Sequence, residues 1–191
     1  MARVRFRTPA FAVAVALAVV PTASADKLGG VTPPPSTAAE VNGPVIVKDD
    51  RGPVVKGRRA VLIGTKAYAP SKAPYAVKRV IWAANKIRHK PYVWGGGHGR
   101  WKDRGYDCSG AVSYALHGGG LLDYPMVSGS FMHWGRKGNG KWISVFATES
   151  HAFMIVAGLR FDTSGAGESG PRWRPEPRWE HHFRVRHPSG F

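Results

Sequence analysis

Cysteine is nearly absent: the 191-residue chain holds one, Cys108. An internal disulfide is therefore excluded, and in an oxidising setting a lone thiol must be buried, paired with another chain, or used chemically. Acidic residues are also scarce, 12 Asp and Glu against 28 Lys and Arg, so the formal charge is +16. A field of that sign draws polyanions towards the protein; it also serves solubility, and composition alone does not separate the two roles. No apolar run is long enough to cross a bilayer, which takes about 20 residues. The glycine-rich stretch from Gly95 to Arg100 is not followed by Gly-Lys-Ser/Thr, which argues against a phosphate-binding loop. Nor is there a Gly-x-Ser-x-Gly elbow. His181, His182 and His187 sit in one short segment without Cys or carboxylate partners at suitable intervals, so no metal site is expected.

What the chain does have begins with a leader. Arg3, Arg5 and Arg7 precede an apolar run from Phe11 to Val20, then Pro21 and the small triplet Ala23-Ser24-Ala25. That order predicts a secretory signal peptide over residues 1–25, leaving no integral membrane segment after cleavage. No cysteine follows the cleavage site to take a lipid anchor, and no Arg-Arg pair precedes the apolar run, which favours export of an unfolded chain. Residues 26–71, rich in Pro, Gly, Ser, Thr and charge, read as a flexible linker. Its short apolar stretches at 45–47 and 60–63 could pair as edge strands. Residues 72–191 make one domain of ordinary size, expected as a monomer. For a secreted chain the anionic partners are cell-wall polymers and lipid rather than nucleic acid.

Periodicity sets the fold class. Val77, Val80, Ile81, Ala84 and Ile87 recur at helical spacing and predict an amphipathic helix over 75–89, ended by Pro91. A second helix is expected over 108–117, with Ala111, Val112, Ala115 and Leu116 as its buried stripe and three glycines stopping it. Strands follow at 141–147, 151–157, 159–163 and 182–187, and 164–178 reads as a surface loop. Helices first and neighbouring strands after point to an α+β domain, N-terminal helices packed on an antiparallel sheet.

One constellation carries chemistry. Asp107 is a suitable N-cap, which puts Cys108 in the first turn of a helix, where unpaired amides and the helix dipole favour a thiolate. The same turn offers donors to an oxyanion. Gly110 leaves room for a peptide to approach the backbone. A thiol nucleophile needs a base, and His151 opens the most apolar strand. If Ala157-Gly158 make a two-residue turn, Phe153 faces Asp162 and His151 is its diagonal neighbour, so that carboxylate could orient the imidazole. The competing readings are a buried structural thiol, a strand-end histidine, and an Asp that serves the following turn. His98 reads as a loop residue lining the site.

The order Pro91-Tyr92-Val93-Trp94-Gly95-Gly96, then Asp107-Cys108-Ser109-Gly110 opening a helix, then a His starting an apolar strand, resembles the NlpC-type family of bacterial cell-wall cysteine peptidases. The resemblance spans about residues 75–191. It implies a papain-like α+β core, cleavage of peptidoglycan stem peptides, Cys108 as nucleophile, His151 as base and Tyr92 near the oxyanion, with Asp107, Ser109 and Gly110 around the substrate and no cofactor. The chain departs from the pattern in lacking Pro-Gly-Asp-Leu ahead of the histidine strand. It also holds Asp162 where His, Asn or Gln is usual. The expected function is thus a secreted peptidoglycan endopeptidase acting through a Cys108 thioester. The alternatives are an amidase or acyltransferase on the same scaffold, or a non-catalytic cationic wall-binding protein.

Overall fold

The computed structural model describes residues 43–47, 49, 51–165, 170–175 and 181–191. The signal peptide expected over 1–25 lies outside them. Four short strands come first: β1 (Ile46–Val47), β2 (Val54–Val55), β3 (Val61–Ile63) and β4 (Lys66–Pro70). They form one sheet in the order β1-β2-β4-β3, with β2 and β4 parallel. This corrects the flexible-linker expectation for the described part of 26–71. Val54, Val55, Ala67 and Ala69 are buried there, and the buried Asn85 side chain grips β4 through both Ala67 N–H (3.0 Å) and Ala67 C=O (2.8 Å). Polar composition misled because the strands are short and gain their stability from the domain they lie on.

Helix α1 (Tyr75–Ile87) buries Val77, Val80, Ile81, Ala84 and Ile87, the stripe its spacing predicts, and ends two residues early. Helix α2 (Cys108–Gly118) starts at its expected residue with the same buried stripe, and Gly120, at φ 73°, takes the left-handed conformation just beyond its end. The two helices meet closely: a Cβ at Gly118 would stand 2.2 Å from the Ala83 methyl. A one-turn α3 (Ser128–Phe131) follows.

The second sheet has the order β5-β10-β6-β7-β8-β9, antiparallel throughout. Its strands are β5 (Arg136–Lys137), β6 (Ile143–Ala147), β7 (Ala152–Val156), β8 (Leu159–Asp162), β9 (Arg172–Arg174) and β10 (Arg184–His187). Ala157 and Gly158, both at positive φ (49° and 92°), make the two-residue turn between β7 and β8. The register pairs Met154 with Phe161 and Val156 with Leu159, so Phe153 comes opposite Asp162 as the turn implied. Strand β9 lies inside the stretch read as a surface loop. Trp173 is buried against Phe161 and donates its indole N–H to Asn85 (3.0 Å), which turns a Gly- and Arg-rich segment into a sheet edge. Helices on an antiparallel sheet confirm the α+β class. Cys108 opens α2 and His151 immediately precedes β7, the order expected of a papain-like core.

Candidate active site

Asp107 builds the start of α2. Its Oδ1 accepts the Gly110 N–H (2.7 Å), its Oδ2 accepts the Gly95 N–H (3.1 Å), and His98 Nε2 and the Ser109 hydroxyl reach Oδ1 at 3.0 and 3.2 Å. With these four partners the carboxylate caps the helix and clamps the glycine loop to it. Ser109, 3% exposed, turns into the same cluster and meets His98 Nε2 at 3.2 Å. Gly110 is needed for packing: a Cβ there would lie 2.0 Å from the Gly96 carbonyl oxygen. Burial pulls the Asp107 pKa up, but His98 and the two amides hold it below the ordinary carboxylate value. The Asp107 hydrogen bond in turn raises that of His98.

Cys108 therefore sits in the first turn of α2 with its side chain almost enclosed. Its Sγ lies 3.5 Å from Ser128 Oγ and 4.0 Å from the Ser150 carbonyl oxygen, and the His151 imidazole is close enough to act on its pKa. His151 is aimed by the turn between β6 and β7. Thr148 N–H donates to the His151 carbonyl (2.9 Å), while His151 N–H donates to Thr148 Oγ1 (3.1 Å). The imidazole Nε2 meets Asp162 Oδ1 at 3.0 Å. Asp162 is held in turn: its Oδ1 accepts the Ser164 N–H (2.9 Å) and hydroxyl (3.1 Å), and Arg160 Nε stands 3.8 Å from Oδ2. Both readings of Asp162 thus describe part of what it does, since it meets the imidazole and serves the following turn.

The electrostatics follow from these contacts. Desolvation opposes a thiolate, yet the His151 and Ser128 hydrogen bonds and the Ala152 amide lower the Cys108 pKa to about 7. Desolvation also opposes the imidazolium, but Asp162 and Cys108 raise His151 to about 9. Between those values the pair rests as thiolate and imidazolium, the form needed for attack on an amide. Tyr92, 37% exposed, has its pKa raised by partial burial and then by the charges of Cys108 and Asp107, so its hydroxyl lies within their field.

The structure thus brings Cys108, His151 and Asp162 into one chain of contacts, with Tyr92 nearby and Asp107, Ser109 and Gly110 behind it. Ser128 and Ser164 were missed. Ser128 belongs to a helix too short to leave a periodic pattern, and Ser164 follows Asp162 in a stretch that reads as ordinary turn sequence. Among the described residues no cluster of His, Cys, Asp and Glu could hold a metal, and no helix is long and apolar enough to cross a membrane.

No family model matches the chain. In sequence it is 34% identical over 94 residues to peptidoglycan endopeptidase RipB of two Mycobacterium tuberculosis strains, covering 44% of this chain and 39% of RipB. The chain is thus similar over part of its length to a peptidoglycan endopeptidase. It spans well under half the length of the curated relatives it matches. The chain also overlays on the solved structure of the peptidoglycan hydrolase RipB from M. tuberculosis, with 26% identity, 61% of this chain and 69% of that one covered, and a TM-score of 0.46. An NlpC/P60 family protein from Bacillus cereus gives 21% identity, coverages of 64% and 44%, and a TM-score of 0.46. RipD of M. tuberculosis, a non-catalytic NlpC/p60 domain protein adapted to peptidoglycan binding, gives 20% identity, coverages of 60% and 98%, and a TM-score of 0.45.

Proposed function

We propose that the protein is a secreted cysteine endopeptidase that hydrolyses amide bonds in peptidoglycan stem peptides. The observation that carries the reading is the run of contacts from Cys108 through His151 to Asp162, with the thiol lowered to about 7 and the imidazole raised to about 9. The Cys108 thiolate adds to the amide carbon, and the carbonyl electron pair moves onto oxygen. The Cys108 N–H in the first turn of α2, where amides lack intrahelical acceptors, and the Tyr92 hydroxyl stabilise that oxyanion. As the C–N bond breaks, His151 gives its proton to the leaving amine, and a thioester remains. Water then attacks the thioester, His151 takes the water proton, and the acid product leaves with the sulfur again a thiolate. Asp162 holds the ring and its positive charge throughout. None of these steps calls on a cofactor.

The 34% identity to a peptidoglycan endopeptidase supports the substrate class, and the charge of +16, of which Arg3, Arg5 and Arg7 of the leader carry three, leaves the mature chain strongly cationic and suited to a wall rich in anionic polymer. The leader at 1–25 supports secretion. Mass spectrometry of muropeptides after incubation with the mature protein tests the reading. New amine and carboxyl ends within the stem peptide are expected, and unchanged muropeptides with intact binding to the wall would instead mean a non-catalytic wall-binding protein.

A further inference from the structure

A second recess lies on the α1–α2 face, apart from the proposed chemistry. Its volume is about 510 Å³, and its floor is the close approach of Ala83 and Gly118. Aromatic rings form its walls: Trp101 stacks on His117 at 3.9 Å and 5°, and Tyr75 meets Trp82 edge to face at 6.0 Å. Cations stand at its rim, with Arg79 and Lys86 on α1, Lys102 beside Trp101, and the Arg51 guanidinium 4.6 Å from the centre of the Tyr75 ring. Asp49 partly neutralises Arg51 (3.0 Å). Arg79, Lys86 and Lys102 make no ion pair among the described residues, and no carboxylate lines the recess. Unneutralised charge beside ring faces is a costly way to cover a helix pair, but it suits a ligand that brings both anions and flat apolar faces.

We propose that this recess is a second binding site, for an anionic polysaccharide whose sugars carry carboxylates. Sugar rings pack their C–H faces on the aromatic walls while the carboxylates reach the rim cations. Arg79 and Lys86 are two helical turns apart, about 10 Å along α1. That spacing suits a charge on every second sugar better than a phosphate on every nucleotide, about 3.4 Å apart along a duplex strand. Gly118 and Cys108 mark opposite ends of α2, about 15 Å apart. A strand held in the recess would therefore keep neighbouring wall polymer close to the cleft and raise its effective concentration there. Only this last consequence rests on the proposed peptidase activity.

Calorimetric titration of the mature protein with hyaluronan oligosaccharides, which carry one carboxylate per disaccharide, tests the site. Dextran and an oligothymidylate serve as neutral and phosphate-bearing comparisons. Hyaluronan is expected to bind, dextran not, and oligothymidylate more weakly. Arg79→Ser combined with Lys86→Ser should weaken hyaluronan binding about tenfold or more, the loss of at least one charge-assisted bond. Lys86→Ser alone, at an exposed position, should act in the same direction. Arg136→Ser with Lys137→Ser removes equal charge from the exposed β5 and should leave the affinity unchanged. Tighter binding of oligothymidylate than hyaluronan, wild-type affinity in the α1 variants, or an equal loss in the β5 variant would each overturn the proposal. Binding is read without turnover, so an inactive Cys108 would leave the outcome unaffected.

Discussion

Replacing Asp162 by Asn removes a charge from a side chain with no exposed surface while keeping its shape. The Asn carbonyl can still accept the His151 Nε2–H, so ring orientation survives and the change is chiefly electrostatic. With Cys108 at about 7 and His151 at about 9, thiolate and imidazolium coexist in the pH window between those values, each favouring the charge of the other. A carboxylate in contact with a cation shifts its pKa by about 1–3 units, so losing the charge narrows or closes that window. The imidazolium then gives up its proton at lower pH, moving the alkaline limb of kcat/KM down. At the acid end of the window the imidazole is still protonated and the thiolate keeps its cationic partner, so the acid limb does not rise and the active window narrows from its alkaline side. The kcat/KM profile should narrow there, while iodoacetamide alkylation should still begin near the wild-type midpoint of about 7. Asp162→Ala, which also frees the ring, should lower kcat more than it raises KM. An unmoved alkaline limb in Asp162→Asn, or full kcat with a lowered melting temperature in Asp162→Ala, would refute the electrostatic role and leave Asp162 as a turn residue.

Two further outcomes follow from other contacts. His151→Ala should return Cys108 towards an ordinary thiol value near 8.5 and slow its alkylation at neutral pH, whereas His98→Ala, whose ring meets Asp107 and Ser109, should alkylate much as wild type does; the reverse pattern would make His98 the base. Asn85→Leu strips partners from both Ala67 backbone groups and from the Trp173 indole. At about 1–3 kcal/mol for each buried group left unsatisfied, urea unfolding should show several kcal/mol lost, and a loss below about 1 kcal/mol would mean that water replaces the amide.

The parts of the fold that were legible in the sequence share one property: local pattern and tertiary environment agree. Helix α1 shows its buried stripe at the right spacing, α2 begins where Asp107 can cap it, and the Ala157-Gly158 turn fixes a register that carries Asp162 to His151. The parts that were not legible depend on distant partners. Strands β1 to β4 are too short to show a period, and they are anchored by Asn85, a polar residue on an otherwise apolar helix face. Strand β9 hides among arginines and glycines because its one buried side chain, Trp173, is matched by Phe161 and Asn85. Within the site, Asp107, Ser109 and Gly110 were tied to the cysteine by proximity in sequence. Their side chains, or the lack of one, engage His98, Gly95 and Gly96, contacts with a distant loop that adjacency to a nucleophile in sequence does not reveal.

The central claim is that Cys108 forms a covalent acyl intermediate with a stem peptide, and the intact mass of the mature protein, acid-quenched during turnover of a soluble stem peptide, tests it most directly. The account predicts an added mass equal to the acyl half of the cleaved peptide, mapped to Cys108, and neither adduct nor cleavage in Cys108→Ala. Cleavage that persists in Cys108→Ala, with no adduct on the wild-type protein, would contradict it.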